Sequence, residues 1–191
     1  MYKKYKKYHY FNGDTVKKII IVLVIILIPL VINKSKTEDI IEIPKESIRI
    51  RVVANSNSLK DQFEKIRVTE NLQKYMQDLL KESNTKEETE KIIKKNLMNI
   101  DSNIKNTLNL INSISTYKIK YGNNYFPQKE YKGIIYESGY YESLVITLGK
   151  GNGDNWWCVL FPPLCQIEIE DNDMNNIEYK LYITEILSKY K

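Results

Sequence analysis

Histidine is nearly absent from this chain of 191 residues, and cysteine and tryptophan occur only twice each. The single histidine, His9, lies in a lysine-rich N-terminal stretch. Ser-His-Asp and Cys-His catalytic sites therefore have no histidine available in the rest of the chain, and most zinc sites are excluded for the same reason. An enzyme built on the remaining residues would depend on carboxylates, tyrosines or a lone thiol.

Excess charge is also missing from most of the chain. The net charge is +5, and the six lysines and one aspartate of residues 1–32 account for all of it. Residues 33–191 are therefore electrically balanced. A balanced chain does not have the basic surplus that is typical of nucleic-acid-binding domains, so we predict no nucleic-acid partner.

One long hydrophobic run is present, at residues 19–32 (IIIVLVIILIPLVI). It follows Lys17 and Lys18, which resembles the basic and apolar regions of a secretory signal. As a helix it would span ~21 Å, which is short of the ~30 Å hydrocarbon core of a bilayer. No small-residue cleavage site follows Ile32, so a cleaved signal and an uncleaved anchor both remain open. In either case the positive-inside rule predicts a cytoplasmic N-terminus and export of the rest.

These features predict four parts. They are a basic cytoplasmic tail at 1–18, a signal or anchor segment at 19–32, a polar linker at 33–46 and an exported domain at 47–191. The protein would then lie outside the cytoplasm, either secreted or held in the membrane through residues 19–32.

Within the predicted domain, the hydrophobic period changes along the chain. Alternating apolar residues predict a strand over residues 48–54, and capping patterns at residues 58–61 and 85–88 predict two helices. The period returns to two from Thr116, with a hairpin turn predicted at residues 122–124, and a last helix is predicted over 177–191. This order predicts an α+β fold, a two-layer domain with a mainly antiparallel sheet and two packed helices.

The helical patterns also predict which side chains face the core. For the first helix the inward positions are Leu59, Phe63, Ile66, Leu72, Met76 and Leu79. For the second they are Ile93, Leu97, Ile100, Ile104, Leu108 and Ile111.

The segment from Gly149 to Cys165 is the most unusual in composition. It holds both tryptophans, both cysteines, three of the seven glycines and two of the five prolines. Its glycine-rich half matches neither a Walker loop nor an EF-hand, so we predict a turn there, with no metal and no cofactor. Its aromatic half is the predicted partner-binding surface, formed by Asn155, Trp156, Trp157, Phe161, Pro162 and Pro163. Adjacent strand residues face opposite sides, which predicts one buried and one exposed tryptophan.

The two cysteines, Cys158 and Cys165, would lie outside the cytoplasm, where a disulfide is permitted. Pro162 and Pro163 between them could fold the chain back far enough to join the thiols. Two buried free thiols would also suit the apolar surroundings. A catalytic thiol is disfavoured, because no histidine is near to lower its pKa.

Three stretches of the chain can be compared together with known families: residues 48–58 (IRIRVVANSNS) with Asp61 and Gln62, residues 125–127 (YFP), and residues 155–165 (NWWCVLFPPLC). In this order and spacing they resemble the stage II sporulation protein R family. The resemblance implies a signalling protein with no catalytic activity of its own. Such a protein is made in the forespore and exported into the space between the two septal membranes. There it activates a membrane-embedded aspartic protease of the mother cell, which processes the precursor of the sigma-E transcription factor.

Two other functions remain open on the sequence. One is an exported cell-envelope hydrolase that uses carboxylates such as Asp154 or Glu142. The other is an anchored envelope protein with a packing role only. The tyrosine-rich strands of residues 117–141 are a second candidate for an interaction surface.

Overall fold

The structure is a computed structural model that describes residues 13–33, 41, 43–166 and 176–190. It divides into two compact units, residues 1–40 and residues 41–191.

The described residues of the first unit form helix α1 (Gly13–Asn33), which includes the hydrophobic run. Its side chains from Val16 to Ile25 are exposed. Among the helices in the described part of the chain, none combines the length and the apolarity needed to cross a membrane. The signal or anchor segment therefore stays a prediction.

The second unit contains six strands and four α-helices among its described residues. The strands are β1 (Ile48–Val53), β2 (Tyr117–Phe126), β3 (Lys129–Tyr131), β4 (Ile134–Tyr136), β5 (Gly139–Leu148) and β6 (Asn155–Phe161). The helices are α2 (Leu59–Leu80), α3 (Lys86–Lys95), α4 (Leu97–Leu110) and α5 (Asn176–Lys189), with a short 3-10 turn at Leu164–Gln166. The predicted α+β class and the final helix are confirmed. The alternation of residues 166–170 (QIEIE) would also suit a strand, and all of these residues except Gln166 lie outside the described ones.

The main sheet has four strands in the order β2-β5-β1-β6, and β3 and β4 form a separate hairpin. β1 pairs with β5 in parallel, while β2 pairs with β5 and β6 pairs with β1 in antiparallel fashion. The sheet is therefore mixed, with two antiparallel pairings and one parallel pairing. The parallel pair is possible because helices α2 to α4 and strand β2 supply a long connection between β1 and β5.

One face of the sheet carries the aliphatic core. Ile48, Ile50 and Val52 of β1 point to this face, where α2 and α4 cover them. The other core members come from the helices and from β5 and β6: Val68, Leu72, Met76, Ile93, Ile100, Ile104, Leu108, Leu144, Ile146, Leu148, Leu160 and Cys165. This face is called the helix face below.

The inward stripe predicted for helix α2 is wrong in the first half of the helix. Leu59, Phe63 and Ile66 are exposed, with Leu59 at 92%. The first turns bury Asp61 and Glu64 instead, because these carboxylates accept hydrogen bonds from neighbouring loops. Hydrophobic period alone could not reveal those partners.

The second predicted helix is divided in two. Asn96 leaves helical geometry at φ −106° and ψ 13°, and its side chain donates back to the carbonyl of Ile92, which ends α3 and lets α4 begin. The predicted stripe survives the break, because Ile93, Ile100 and Ile104 are all buried. The hairpin predicted at residues 122–124 is wrong. Strand β2 continues through these residues, paired with β5 along its whole length.

A smaller apolar cluster forms around α5. Tyr179, Ile183, Ile186 and Leu187 of this helix are buried together with Ile43, Ile134, Val159 and Leu164. Ile43 belongs to the predicted linker, so the compact unit includes at least this residue of it.

Candidate partner-binding site

The two tryptophans of β6 lie on opposite faces of the sheet. Trp156 pairs with Val52 and packs against the aliphatic core of the helix face. Trp157 pairs with Arg51 and lies on the other face. The predicted opposite orientation is confirmed, since successive strand residues alternate. The expected contrast in burial is wrong, because both side chains are half-buried.

The face that Trp157 shares is filled by alternating arginines and aromatic rings. Cζ of Arg49 lies 3.4 Å from the ring centroid of Tyr141 and 5.5 Å from that of Phe126. Cζ of Arg51 lies 5.4 Å from Phe126 and 5.1 Å from Trp157. Cation–π contacts of this kind stabilise a partly desolvated guanidinium. This face is called the arginine face below.

The strand pattern of β1 explains this arrangement. Arg49 and Arg51 alternate with the core isoleucines along β1, which places both arginines on the face opposite the aliphatic core. β1 is a central strand, with β5 on one side and β6 on the other. Arg49 is only 3% exposed, and burial lowers the pKa of both guanidinium groups.

A cleft of about 260 Å³ opens beside this stack. Its wall includes three groups of the predicted surface, Asn155, Trp156 and Trp157. The other lining residues are Arg49, Phe126, Pro127, Lys129, Glu130, Tyr131, Tyr136, Cys158, Val159, Leu164 and Tyr179. The cleft is thus concave and largely aromatic, with a few polar groups, which is the general character of a binding site.

The β3–β4 hairpin and α5 supply the outer aromatic rings. A two-residue turn at Lys132 and Gly133 has positive φ at both positions, as hairpin turns of this length require. The rings of Tyr131 and Tyr179 meet edge to face with centroids 5.5 Å apart. The hydroxyls of Tyr136 and Tyr179 lie 3.1 Å apart and share a hydrogen bond. These contacts tie the hairpin to α5.

The remaining predicted residues lie away from the cleft. Phe161 packs against the helix-face core and the ring of Tyr190, with centroids 5.2 Å apart. Pro162 is buried, and Pro163 lines a small depression beside α2. The predicted surface is therefore divided, with Asn155 and Trp157 at the cleft and the Phe-Pro-Pro part at the other side.

The Pro-Pro turn is held at both ends. Cys158 and Cys165 form a disulfide, with Cα atoms 5.6 Å apart, as the spacing around the prolines had suggested. The buried side chain of Gln73 in α2 donates a hydrogen bond to the carbonyl oxygen of Cys165. The turn is thus fixed to β6 covalently and to α2 by a buried polar contact.

The glycine-rich half packs against the loop after β1. The Oδ1 atoms of Asn55 and Asn57 accept hydrogen bonds from the backbone N–H groups of Lys150 and Asp154, at 2.9 and 2.7 Å. A Cβ at Gly153 would lie 2.3 Å from the carbonyl oxygen of Ser56, so only glycine fits there. The two loops therefore complete each other, which agrees with the prediction of a turn.

Asp61 organises the same corner. Its carboxylate accepts hydrogen bonds from the side chains of Asn55 and Ser56, and its backbone N–H donates to the hydroxyl of Ser58, the N-cap of α2. Hydrogen bonds from Ser56 and Asn55 lower the pKa of Asp61 below its usual value. The Asn-Ser-Asn-Ser stretch is thus accounted for by capping and loop packing.

The carboxylates of the hydrolase alternative lie far apart. Glu142 adjoins Ser143, which pairs with Arg49, and Asp154 adjoins Asn155, which pairs with Val53. About six strand residues separate them, or ~20 Å, well beyond the ~5–10 Å of paired glycosidase carboxylates. Within the described ranges, no three His, Cys, Asp or Glu side chains lie close enough together to hold a metal ion.

Sequence reasoning missed Arg49, Phe126 and Tyr141 as parts of the site. Their placement depends on the order of strands in the sheet, which brings β2, β5, β1 and β6 side by side. One signal was available, because Arg49 and Phe126 both lie in the stretches that carried the family resemblance.

Comparison with known proteins agrees with that resemblance. A model of the Stage II sporulation protein R family matches residues 44–171. The chain belongs to this family. It is 34% identical over 141 residues to Stage II sporulation protein R of Bacillus subtilis, a match that covers 74% of this chain and 62% of the relative. No solved structure gives a significant match.

The match has a limited extent. The chain spans 62% of the length of that curated relative, so more than a third of the relative has no counterpart in the alignment. The matched region of the family runs from Pro44, just before β1, to Asp171, beyond the disulfide turn. It includes the main sheet, helices α2 to α4 and most residues of the cleft wall.

Proposed function

We propose that this protein is an exported signal that activates a membrane-embedded aspartic protease of the mother cell during sporulation. The activated protease would then process the sigma-E precursor. The protein would act as a ligand, without catalysis of its own, in the space between the forespore and mother-cell membranes. Membership of a sporulation family supports the process, and the mechanism is the one implied by the family resemblance.

The aromatic lining of the cleft indicates which surface contacts the protease. The cleft brings aromatic side chains from β2, β4, β6 and α5 together around Trp157 and Asn155. Aromatic residues in a concave, partly buried setting are the usual anchors of protein interfaces. We therefore assign the contact with the protease to the cleft side of β6, and leave the Phe-Pro-Pro part of the predicted surface a structural role.

The process is tested by deleting the gene in the native organism. Processing of the sigma-E precursor in the mother cell should stop, and the full chain supplied in the forespore should restore it. An immunoblot of the precursor and the mature factor measures both. Normal processing in the deletion strain would refute the proposed function.

The surface is tested by variants of the full chain in that deletion strain. Trp157→Ala should fail to restore processing while the protein accumulates to a normal level. Leu59→Ala is the matched control, because it also removes a large apolar side chain but from a position 92% exposed on α2. If Trp157→Ala restores processing fully, the contact lies elsewhere, and the tyrosine-rich strands become the next candidate.

The same experiment separates the other two functions. An envelope protein with a packing role would lose activity only where its variants fail to fold. An exported hydrolase would lose activity with Asp154→Asn or Glu142→Gln, which should have no effect if the protein is a ligand. Purified protein that releases no soluble fragments from peptidoglycan would agree with the ligand role.

A further inference from the structure

Arg49 is a buried cation without an acidic partner among the described residues. It is 3% exposed, and arginine keeps its proton under all ordinary conditions. Its Nε donates to the hydroxyl of Ser47 and its Nη1 to the carbonyl of Glu137, both at 3.4 Å. Its Nη2 has no hydrogen-bond partner within the described chain. Buried charges are usually neutralised by a partner, so this guanidinium is incompletely satisfied.

Arg49 is one of the residues that line the cleft. Two further charged residues line the same cleft, Lys129 and Glu130, and these offset each other in formal charge. Arg49 therefore leaves the lining with a net charge of +1, surrounded by aromatic rings. An anionic group seated in the cleft would lie in a partly desolvated site, where attraction to a guanidinium is stronger than at an open surface.

A second unsatisfied atom belongs to Asn155, which also lines the cleft, and this atom is an acceptor. The Oδ1 of Asn155 is buried and has no hydrogen-bond partner in the described part of the molecule. It would accept from a donor such as a peptide N–H. The cleft thus offers a cation for a carboxylate, an acceptor for a backbone amide and aromatic walls for apolar side chains. Those three features match a short acidic peptide segment better than a bare anion.

We propose that the cleft binds an acidic segment of a protein partner, with a Glu or Asp carboxylate against Arg49 and apolar neighbours against the aromatic walls. The inference deepens the proposed function, because the segment would belong to the activated partner. It names the chemistry of the contact: one carboxylate, flanked by large apolar side chains, in an extended stretch of chain.

Intrinsic fluorescence provides a direct assay. The protein has two tryptophans, and both line the cleft. The full chain, purified in a mild detergent, is titrated with the blocked tripeptide Phe-Glu-Phe and separately with Phe-Gln-Phe. The two probes have the same shape and differ in charge. The Glu peptide should bind at least about tenfold more tightly at neutral pH, since a desolvated charge-assisted pair favours it.

Two arginine variants locate the effect. Arg49→Gln should reduce the Glu-over-Gln preference to less than about twofold, because the charge that discriminates the probes is gone. Arg51→Gln is the matched control, since Arg51 stacks on the same face without lining the cleft. It should keep the preference. Circular dichroism establishes that each variant is folded. If Arg49→Gln does not fold, the two probes on the unmodified protein still decide the question.

Each outcome is decisive. Equal binding of the two peptides, no binding of either, or an unchanged preference in a folded Arg49→Gln variant would overturn the inference. Inorganic phosphate that displaces the Glu peptide at equal concentration would also overturn it, because the site would then recognise any anion. A Glu preference in a protein whose deletion leaves sigma-E processing normal would retain this inference and refute the proposed function. Restored processing without a Glu preference would do the reverse.

Discussion

The two faces of the central sheet use opposite ways of filling space. On the helix face, aliphatic side chains of β1, β5 and β6 meet those of α2 and α4, and the core is continuous. On the arginine face, two guanidinium groups alternate with the rings of Tyr141, Phe126 and Trp157. The helix face is closed by the chain itself. The arginine face ends in an open cleft.

Buried charge shows the same difference. Glu64 on the helix side is 2% exposed, and its two carboxylate oxygens accept hydrogen bonds from Ser113 and Ser115 at 2.8 and 2.6 Å. Arg49 is equally buried but has two long hydrogen bonds and one unpaired nitrogen among the described residues. The fold satisfies the first charge internally. For the second, the comparison points to a group from outside the chain.

The largest expected effect is on the helix face. Leu72 is fully buried, so Leu72→Ala should lower the free energy of unfolding by about 2–5 kcal/mol. Leu59→Ala, on the same helix and in the same predicted stripe, should change it by less than about 0.5 kcal/mol. Urea unfolding measures both. Equal losses would mean that the exposed stripe of α2 is packed after all.

The second largest effect is expected for the disulfide turn, which borders both faces of the sheet. Replacing Cys158 and Cys165 by serine should lower the free energy of unfolding by about 2–3 kcal/mol, the value of a short closed loop in the chain-entropy treatment. The same protein with its cysteines intact, unfolded with and without reductant, is the control. A reductant that leaves the unfolding midpoint unchanged would contradict a structural role for the bridge.

The two buried charges should respond differently to removal. Glu64→Gln replaces one of the two accepting carboxylate oxygens by an NH2 group, so one of the two serine hydroxyls loses its acceptor. The free energy of unfolding should fall by about 1–3 kcal/mol. Arg49→Met keeps the apolar stem and removes a cation that has no acidic partner among the described residues, so it should cost less than about 1 kcal/mol. Urea unfolding of the two variants gives the comparison. A larger loss for Arg49→Met would show that the chain itself satisfies this guanidinium.

The smallest effect is a pH dependence at the corner of α2. The pKa of Asp61 is lowered by its hydrogen bonds, so the stability it contributes is complete above its unfolded pKa of about 3.8 and is lost as the pH falls through the folded value. Asp61→Asn should remove this part of the acid destabilisation. Unfolding midpoints measured between neutral pH and pH 2 test it, and an unchanged acid slope would exclude Asp61 as its source.

Much of the fold follows from local pattern. Strand β1, the starts of α2 and α3, the buried stripe of α4 and the final helix were all predictable, because each depends on nearby residues. The hydroxyl oxygens of Ser58 and Thr85 accept hydrogen bonds from the backbone N–H groups of Asp61 and Glu88, as the predicted helix caps require. The disulfide was also predictable as one of two arrangements, since the cysteines are seven positions apart with two prolines between them.

The errors have one physical origin. The exposure of Leu59 and Phe63 and the continuation of β2 through Gly122 depend on contacts far apart in sequence. The burial of Arg49, which was not predicted, depends on such contacts too. Glu64 is held by serines about fifty residues away. Arg49 is held by rings contributed by two other strands. The hydrophobic period of the sequence shows only which residues share a face of a helix or strand. Which side chains pack against that face depends on the topology of the fold.

Photo-crosslinking in sporulating cells would identify the protein that contacts the cleft. The full chain is produced in the deletion strain with p-benzoylphenylalanine at the position of Trp157, and in a matched strain at the position of Leu59, which is exposed on α2. We expect a crosslink from the Trp157 position to a membrane-embedded protease of the mother cell and none from the Leu59 position. A crosslink to that protease from the Leu59 position alone would contradict this expectation.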